Sequence, residues 1–223
     1  MNARAAALPR FRRLPRPAFH KARALMRALQ LRQTRREFSD RELSPQTLSD
    51  LLWAAFGVNR RRGPFGGCGR TAASASNSQE IDVYVATASG AYLYDPRRHR
   101  LQQVSPQDLR AIAISPGQSP GDRGAHAPVR LIYVADIDRL THTSGFQEPG
   151  LHDRDVQRAY YYVDTGLIAA NVYLFAAVTR LAAWFHNCDT DALAAVLPLS
   201  RTQRVLFAQT VGYPLVPKRR NRG

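Results

Sequence analysis

Ile81-Asp82-Val83-Tyr84-Val85-Ala86, Ser89-Gly90 and Ala91-Tyr92-Leu93-Tyr94 form the stretch that decides the architecture. Ile81, Val83 and Val85 alternate with Asp82, Tyr84 and Ala86, the period of a half-buried strand, and Ser89-Gly90 between two such runs predicts a hairpin. Asp95-Pro96 ends the second strand, and Leu101 to Val104 continues the meander. Farther along, the Val-x-Leu-Ile-Tyr-Val run of Val129 to Ala135 predicts a buried strand. Trp184-Phe185-His186-Asn187 reads as short and extended, and Arg204 to Val211 as a closing strand ended by Gly212-Tyr213-Pro214.

Helices are expected around these strands. Ser44 as N-cap with Pro45 at the first helical position starts one, with Leu48, Leu51, Leu52, Ala55 and Phe56 on one face and Gly57 as its stop. Phe19 to Leu29 carries Ala22, Leu25, Met26 and Leu29 at helical spacing. Ser105-Pro106 predicts a short helix to about Ile114, and Asp189 caps another running to Leu197. Asp153 to Leu181 is the longest, and after Gly166 it is apolar nearly all round, so it lies at the centre of the core or of a subunit interface. Arg60 to Gly69, Ser115 to Ala127 and Thr141 to Gly150 read as loops, and the three arginines from Arg60 as a solvated tip.

The chain of 223 residues is 44% hydrophobic and 22% charged, an ordinary globular profile sufficient for one core. Its formal charge of +15 is unevenly placed: residues 1–41 hold twelve Lys/Arg against two acids, residues 218–223 four against none, leaving +1 for the body between. A basic arm over 1–17, one domain over 18–217 and a basic tail over 218–223 are therefore expected. Cys68 and Cys188 lack both a disulfide framework and metal-ligand spacing. The first 27 residues have no continuous apolar core of the kind a secretory leader needs, and Asn171, Thr179 and Arg180 interrupt the most apolar segment. A cytoplasmic, non-membrane protein is the expectation.

Two stretches have binding chemistry. Leu31-Arg32-Gln33-Thr34-Arg35-Arg36-Glu37-Phe38 sets guanidinium forks and a hydroxyl between apolar anchors, a composition suited to an anion such as phosphate, or else a solvated basic turn after a helix. Arg70 to Gln79 is made of small and amide residues just ahead of the first strand. Asn77 and Gln79 carry both donors and acceptors and suit the edge of a flat ligand; the same composition also fits a loop that caps a helix. No Ser/His/Asp or Cys/His triad, nor any pair of carboxylates at telling spacing, stands out.

Six separated stretches, in the same order over roughly residues 25–214, resemble the flavin-dependent nitroreductases, especially the branch that includes dehydrogenases of azoline rings in peptides. Arg32 to Phe38 resembles an early Arg-Arg-Ser-x-Arg-x-Phe motif. Leu48-Ser49-Asp50-Leu51-Leu52-Trp53-Ala54-Ala55-Phe56-Gly57 resembles a family helix, and Ala73-Ser74-Ala75-Ser76-Asn77-Ser78-Gln79 a flavin-edge motif. Leu93-Tyr94-Asp95-Pro96 with His99 and Leu101, Asp164-Thr165-Gly166 with Asn171, and Val211-Gly212-Tyr213-Pro214 complete the series. The chain departs from the pattern at Gln33 for arginine, Thr34 for serine, Ala73 for proline and Asn187 about where glycine is common.

The resemblance implies an α+β sandwich with a central, mainly antiparallel sheet flanked by helices, working as an intertwined homodimer with FMN at the interface. It implies that Arg32, Gln33, Thr34 and Arg36 hold the phosphate and ribityl end, with Asn77 and Gln79 near the ring and ribityl oxygens. His186 and Asn187 would lie on the reactive side, and the tail cations Lys218, Arg219 and Arg220 would add phosphate contacts. The implied chemistry is ping-pong hydride transfer from NAD(P)H through flavin N5 to a small nitro, quinone or related acceptor. Two other readings stay open: a basic dimer that binds nucleic acid or another polyanion without catalysis, and a flavin-binding member without turnover.

Overall fold

The computed structural model describes residues 22–115, 127–144 and 153–215. The chain enters through α1 (Arg23–Leu31) and α2 (Pro45–Phe56), then a short ribbon of β1 (Val58–Arg60) and β2 (Gly69–Arg70). β3 (Ile81–Thr87), β4 (Gly90–Asp95), β5 (Arg100–Ser105) and β6 (Val129–Asp136) follow, then α3 (Ile137–Thr141), α4 (Arg154–Thr179), β7 (Ala182–His186), α5 (Thr190–Val196) and β8 (Gln203–Gly212). The main sheet has the order β5-β4-β3-β6-β8-β7 with every neighbour antiparallel.

The expected hairpin is present, with Thr87 paired to Gly90 and Tyr84 to Leu93. Gly90 sits at φ 134, where a Cβ would meet the Ser105 carbonyl at 2.5 Å, so the turn requires glycine. β3 and β6 are the central pair, with Val83 opposite Tyr133 and Tyr84 opposite Ile132. Because strand side chains alternate, Val83, Val85, Leu131 and Tyr133 face a core under α2 and α4. Tyr84, Ala86, Ile132 and Val134 face a second core that holds Leu109, Ala113, Leu193 and Leu197. The sheet is thus covered on both sides, an α+β sandwich.

Caps fix the helix starts. Ser44 Oγ accepts the Thr47 N–H at 3.1 Å, Asp153 accepts those of Asp155 and Val156, and Asp189 that of Ala192. Each such cap contributes about 1 kcal/mol. The helix expected from Ser105 to Ile114 is replaced by bends and turns. Ser105 Oγ takes the Gln107 N–H at 3.2 Å and Asp108 takes both the Arg110 N–H and its guanidinium, so local side-chain acceptors outcompete the helical carbonyls. The loop expected from Arg60 to Gly69 carries the ends of the β1–β2 ribbon, with Arg60, Arg61 and Arg62 exposed as expected. The Arg180 C-cap of α4 is left-handed, at φ 60, and turns the chain into β7.

α4 is long and apolar enough to cross a membrane by length and composition. Here its inner side, Ile168, Ala169, Val172 and Ala176, packs into the core. Its outer side leaves Val163, Leu167 and Val178 between 42% and 58% exposed, and Val178 lines a cavity with Leu25 of α1 and Trp53 of α2. Gly166, on the same outer side, has open space where a Cβ would stand.

Candidate functional site

From the end of α1 the chain runs beside β7, tied by a hydrogen bond from the Arg35 N–H to the Ala183 carbonyl at 3.0 Å and anchored by buried Phe38, which bridges to Pro214. Its side chains sort to two sides. On one, the Arg32 guanidinium lies 5.8 Å from the Tyr173 ring centre, Thr34 Oγ1 donates to the Tyr173 hydroxyl at 3.3 Å, and Arg36 lies 5.7 Å from the Trp184 ring centre. On the other, Gln33 and Arg35 line a cavity of about 330 Å³ with Arg27 and Arg180. There Gln33 Oε1 accepts from the Arg35 guanidinium at 2.7 and 3.1 Å, with the amide oriented to satisfy both groups. Alternation in an extended segment therefore gives Arg32, Thr34 and Arg36 one face and removes Gln33 from it.

Arg36 opens onto a second cavity of about 430 Å³, lined by Trp184, Phe185, His186, Asn187 and Phe207. His186 is buried, with Nδ1 2.8 Å from the Asn187 carbonyl and Nε2 2.8 Å from Thr210 Oγ1. A carbonyl only accepts, so Nδ1 carries the proton and Thr210 donates to Nε2. Burial lowers its pKa to about 4. His186 is accordingly neutral near pH 7, with both nitrogens engaged, and shapes the cavity wall without supplying a proton. Burial likewise pushes the Cys188 thiol up to about 12, so it is unreactive.

The third component is the loop Ser74 to Gln79. Ser76, Asn77 and Gln79 adopt left-handed backbone at φ 47, 57 and 53, a conformation costly for side-chain-bearing residues and concentrated at functional sites. Asn77 Nδ2 donates to the carbonyls of Pro64 and Cys68. Gln79 is a hub: Nε2 donates to Cys68 O at 2.7 Å and Asn77 Oδ1 at 2.9 Å, while Oε1 accepts from Arg70 Nε at 2.6 Å. Both Gln79 donors are spent, so its part is to orient Asn77. Asn77 faces a cavity of about 450 Å³ with Asn59, Arg60, Phe65, Ser74 and Ser76 around it. Arg70, an unremarked member of its stretch in the sequence, also donates to Phe56 O and stacks 4.9 Å from the Phe56 ring centre.

Beneath this loop two carboxyl groups meet. Glu80 is fully buried and Asp164 4% exposed, and they lie within hydrogen-bond reach of each other. Ser78 Oγ donates to Glu80 Oε2 at 2.6 Å, and the Ala75 N–H donates to Asp164 Oδ2 at 2.8 Å. Burial, with Asp164 next in weight, raises the Glu80 pKa to about 8; burial also raises that of Asp164. Asp164 had a sequence signal in being the one carboxylate of α4 beyond its first turn, but its partner had none.

A Ser49–His99–Tyr94 chain also forms, with links of 2.7 and 2.8 Å. Tyr94 is buried, its pKa is raised to about 12, and among the described residues His99 is the acceptor available to its hydroxyl. Tyr94 thus donates to Nδ1, which leaves the proton on Nε2 directed at Ser49. A protonated Nε2 cannot act as a base for that serine, and the chain instead braces the β4–β5 hairpin on α2. Among the described residues there is no cluster of three metal-ligating side chains. Lys218, Arg219 and Arg220 lie outside the described residues.

The antiparallel α+β sandwich is of the nitroreductase type, and the family match makes the chain an oxidoreductase of that type. The chain belongs to the Nitroreductase family, whose model matches residues 29–213. It is 32% identical to a nitroreductase-type protein from Ralstonia eutropha JMP134 of known crystal structure, over 94% of this chain and 89% of that one, with a TM-score of 0.73. It is 29% identical over 152 residues to a protein of Methanocaldococcus jannaschii named as a nitroreductase, covering 65% of this chain and 69% of that one. A chain of the Escherichia coli microcin synthetase McbBCD complex shares the fold, at 17% identity and a TM-score of 0.67, over 96% of this chain and 79% of that one.

Proposed function

We propose that this oxidoreductase binds FMN as a homodimer and oxidises NAD(P)H, passing the electrons to a small organic acceptor of the nitro or quinone class. The observation that carries the reading is the common face of Arg32, Thr34 and Arg36. Two guanidiniums flank a hydroxyl there, Arg32 and Thr34 against Tyr173 and Arg36 against Trp184, and the donor set fits a phosphate and the polyol next to it. Asn77 lines the loop cavity with its Oδ1 accepting from Gln79 and its Nδ2 held by the Pro64 and Cys68 carbonyls, and the second lone pair of Oδ1 is the fitting group for a ring-edge donor.

FMN supplies two-electron redox chemistry, and the protein supplies position and charge. Arg32, Thr34 and Arg36 anchor the anionic end. Trp184 and Phe207 give the cavity beside it an apolar side, and neutral His186 adds no positive charge to that wall. In the single chain, the Arg36 cavity and the Asn77 cavity share no lining residue. The exposed apolar strip of α4, α1 and Trp53, open at Gly166, supports a partner subunit packed there. A cytoplasmic location goes with this reading.

Purification tests it. Denatured protein should release one FMN per chain, and NADH or NADPH should bleach the bound flavin under anaerobic conditions. A colourless protein that cannot be loaded with FMN overturns the proposal, and a yellow one that neither nucleotide bleaches overturns the reductase part. Leu167→Arg should give a monomer in size-exclusion chromatography; an unchanged elution volume rules out the α4 interface.

A further inference from the structure

Glu80 and Asp164 belong to different layers, one at the entry to β3 and the other in the middle of α4, and between them they hold both ends of the loop that presents Asn77. The Ala75 N–H is on Asp164 and the Ser78 hydroxyl on Glu80. Glu80 Oε1 has no hydrogen-bond partner when both groups are written as carboxylates. Two buried carboxylates in contact cannot both be charged, and a proton placed between them satisfies the orphaned oxygen and removes the repulsion.

We infer that Glu80 and Asp164 are positioning residues that share one proton, and that this proton latches the loop Ser74–Gln79 in its left-handed, Asn77-presenting conformation. Other groups around Glu80 do not replace the proton. The Arg139 guanidinium reaches the Glu80 backbone carbonyl at 3.2 Å, but its charge is engaged by Asp82 at 2.7 Å and Asp136 at 3.2 Å. From β2, Arg70 is committed to Gln79 and Phe56. From α4, Asp164 is the charged group facing Glu80. The strained φ values of Ser76, Asn77 and Gln79 give the loop a reason to relax once the latch is lost.

The pH dependence follows from linkage. In the latched loop Glu80 keeps its proton up to about pH 8, whereas an opened loop returns it toward its ordinary value of 4.5. Between those limits each unit of pH favours opening tenfold. The inference concerns the loop itself and holds with or without a bound cofactor; its link to flavin retention rests on the function proposed above.

Hydrogen exchange at the Ala75 amide, which is bonded to Asp164, reads the latch directly. In cofactor-free protein between pH 5.5 and 7.5, exchange should accelerate about tenfold per unit beyond its intrinsic pH dependence. Glu80→Gln carries a permanent donor toward Asp164 and should hold protection flat across the same range. Asp164→Asn removes the like charge and should end the excess acceleration at a lower pH. A wild-type rate with no excess pH dependence overturns the inference, as does the wild-type window in Asp164→Asn. If the protein also takes FMN, its dissociation constant should rise over the same range in wild type and stay level in Glu80→Gln. A protein without flavin affinity leaves the exchange result to decide the latch alone.

Discussion

Segment 32–38 and loop 74–80 are candidates for the same ligand, yet they are built on opposite principles. The segment keeps its working side chains exposed and loosely engaged, with Arg32 and Arg36 stacked on aromatic faces at 5.7–5.8 Å and no acid among those contacts. The loop binds almost everything to itself: Gln79, Asn77, Arg70 and Cys68 O form a closed net, and Glu80 lies fully buried under it. An exposed cation costs little to hold and keeps its charge for a ligand, whereas a strained backbone persists only when its neighbours over-determine it. Binding strength should therefore reside in the segment and geometric accuracy in the loop.

Substitutions sharpen or break that contrast. Gln79→Ala takes a partner from the half-buried Arg70 guanidinium and frees Asn77, so urea unfolding should show a loss of about 3 kcal/mol. A loss under about 1 kcal/mol would mean the loop is not a closed net.

The pH profile of stability comes next. Glu80, with its pKa raised from 4.5 to about 8, contributes stability that is full below 4.5 and is lost as pH rises toward 8. His186, lowered from 6.5 to about 4, contributes stability that is full above 6.5 and is lost as pH falls toward 4. The two slopes oppose each other between 4.5 and 6.5, so these groups should give a plateau there, with losses of order 1.4 kcal/mol per unit on either side. Glu80→Gln should level the alkaline limb; if that limb keeps its slope in the variant, Glu80 is not its source.

In the segment the effect should fall on ligand and not on folding. Arg32→Ala should weaken FMN retention about tenfold, measured by fluorescence of released flavin, with unfolding stability changed by less than about 0.5 kcal/mol. Arg35→Ala, on the opposite side with Gln33, should leave retention at the wild-type value. Equal retention in the two variants would end the one-face assignment.

How far these features could be read from sequence depends on the range of the interactions that make them. The hairpin at Ser89-Gly90, the Ser44 and Asp189 caps and the closing strand are local, and period or cap chemistry shows them directly. The helix expected from Ser105 failed for a local reason too, since Asp108 and Ser105 bond their own neighbours. For the site, Arg32, Thr34 and Arg36 came from the family resemblance, which carried Gln33 with them; the extended backbone that turns Gln33 to the Arg35 side was not legible. Neither was the loop net. Ala75 finds Asp164 across 89 residues, and nothing in the small-residue composition of Arg70 to Gln79 shows that its one arginine turns inward.

The run beside β7 has one more consequence. β7 is one of the two outer strands of the sheet, and an uncovered outer strand is a template for other chains. Arg35 bonds Ala183 of β7, and past it Ser39 bonds Tyr213 and Leu215 bonds the Glu37 carbonyl, so the segment proposed to hold a ligand through Arg32, Thr34 and Arg36 also covers this margin through the backbone of its other residues. Solubility and ligand capture are therefore joined in one short piece of chain, and a variant that lifts it off the sheet should be recognised first by its tendency to precipitate.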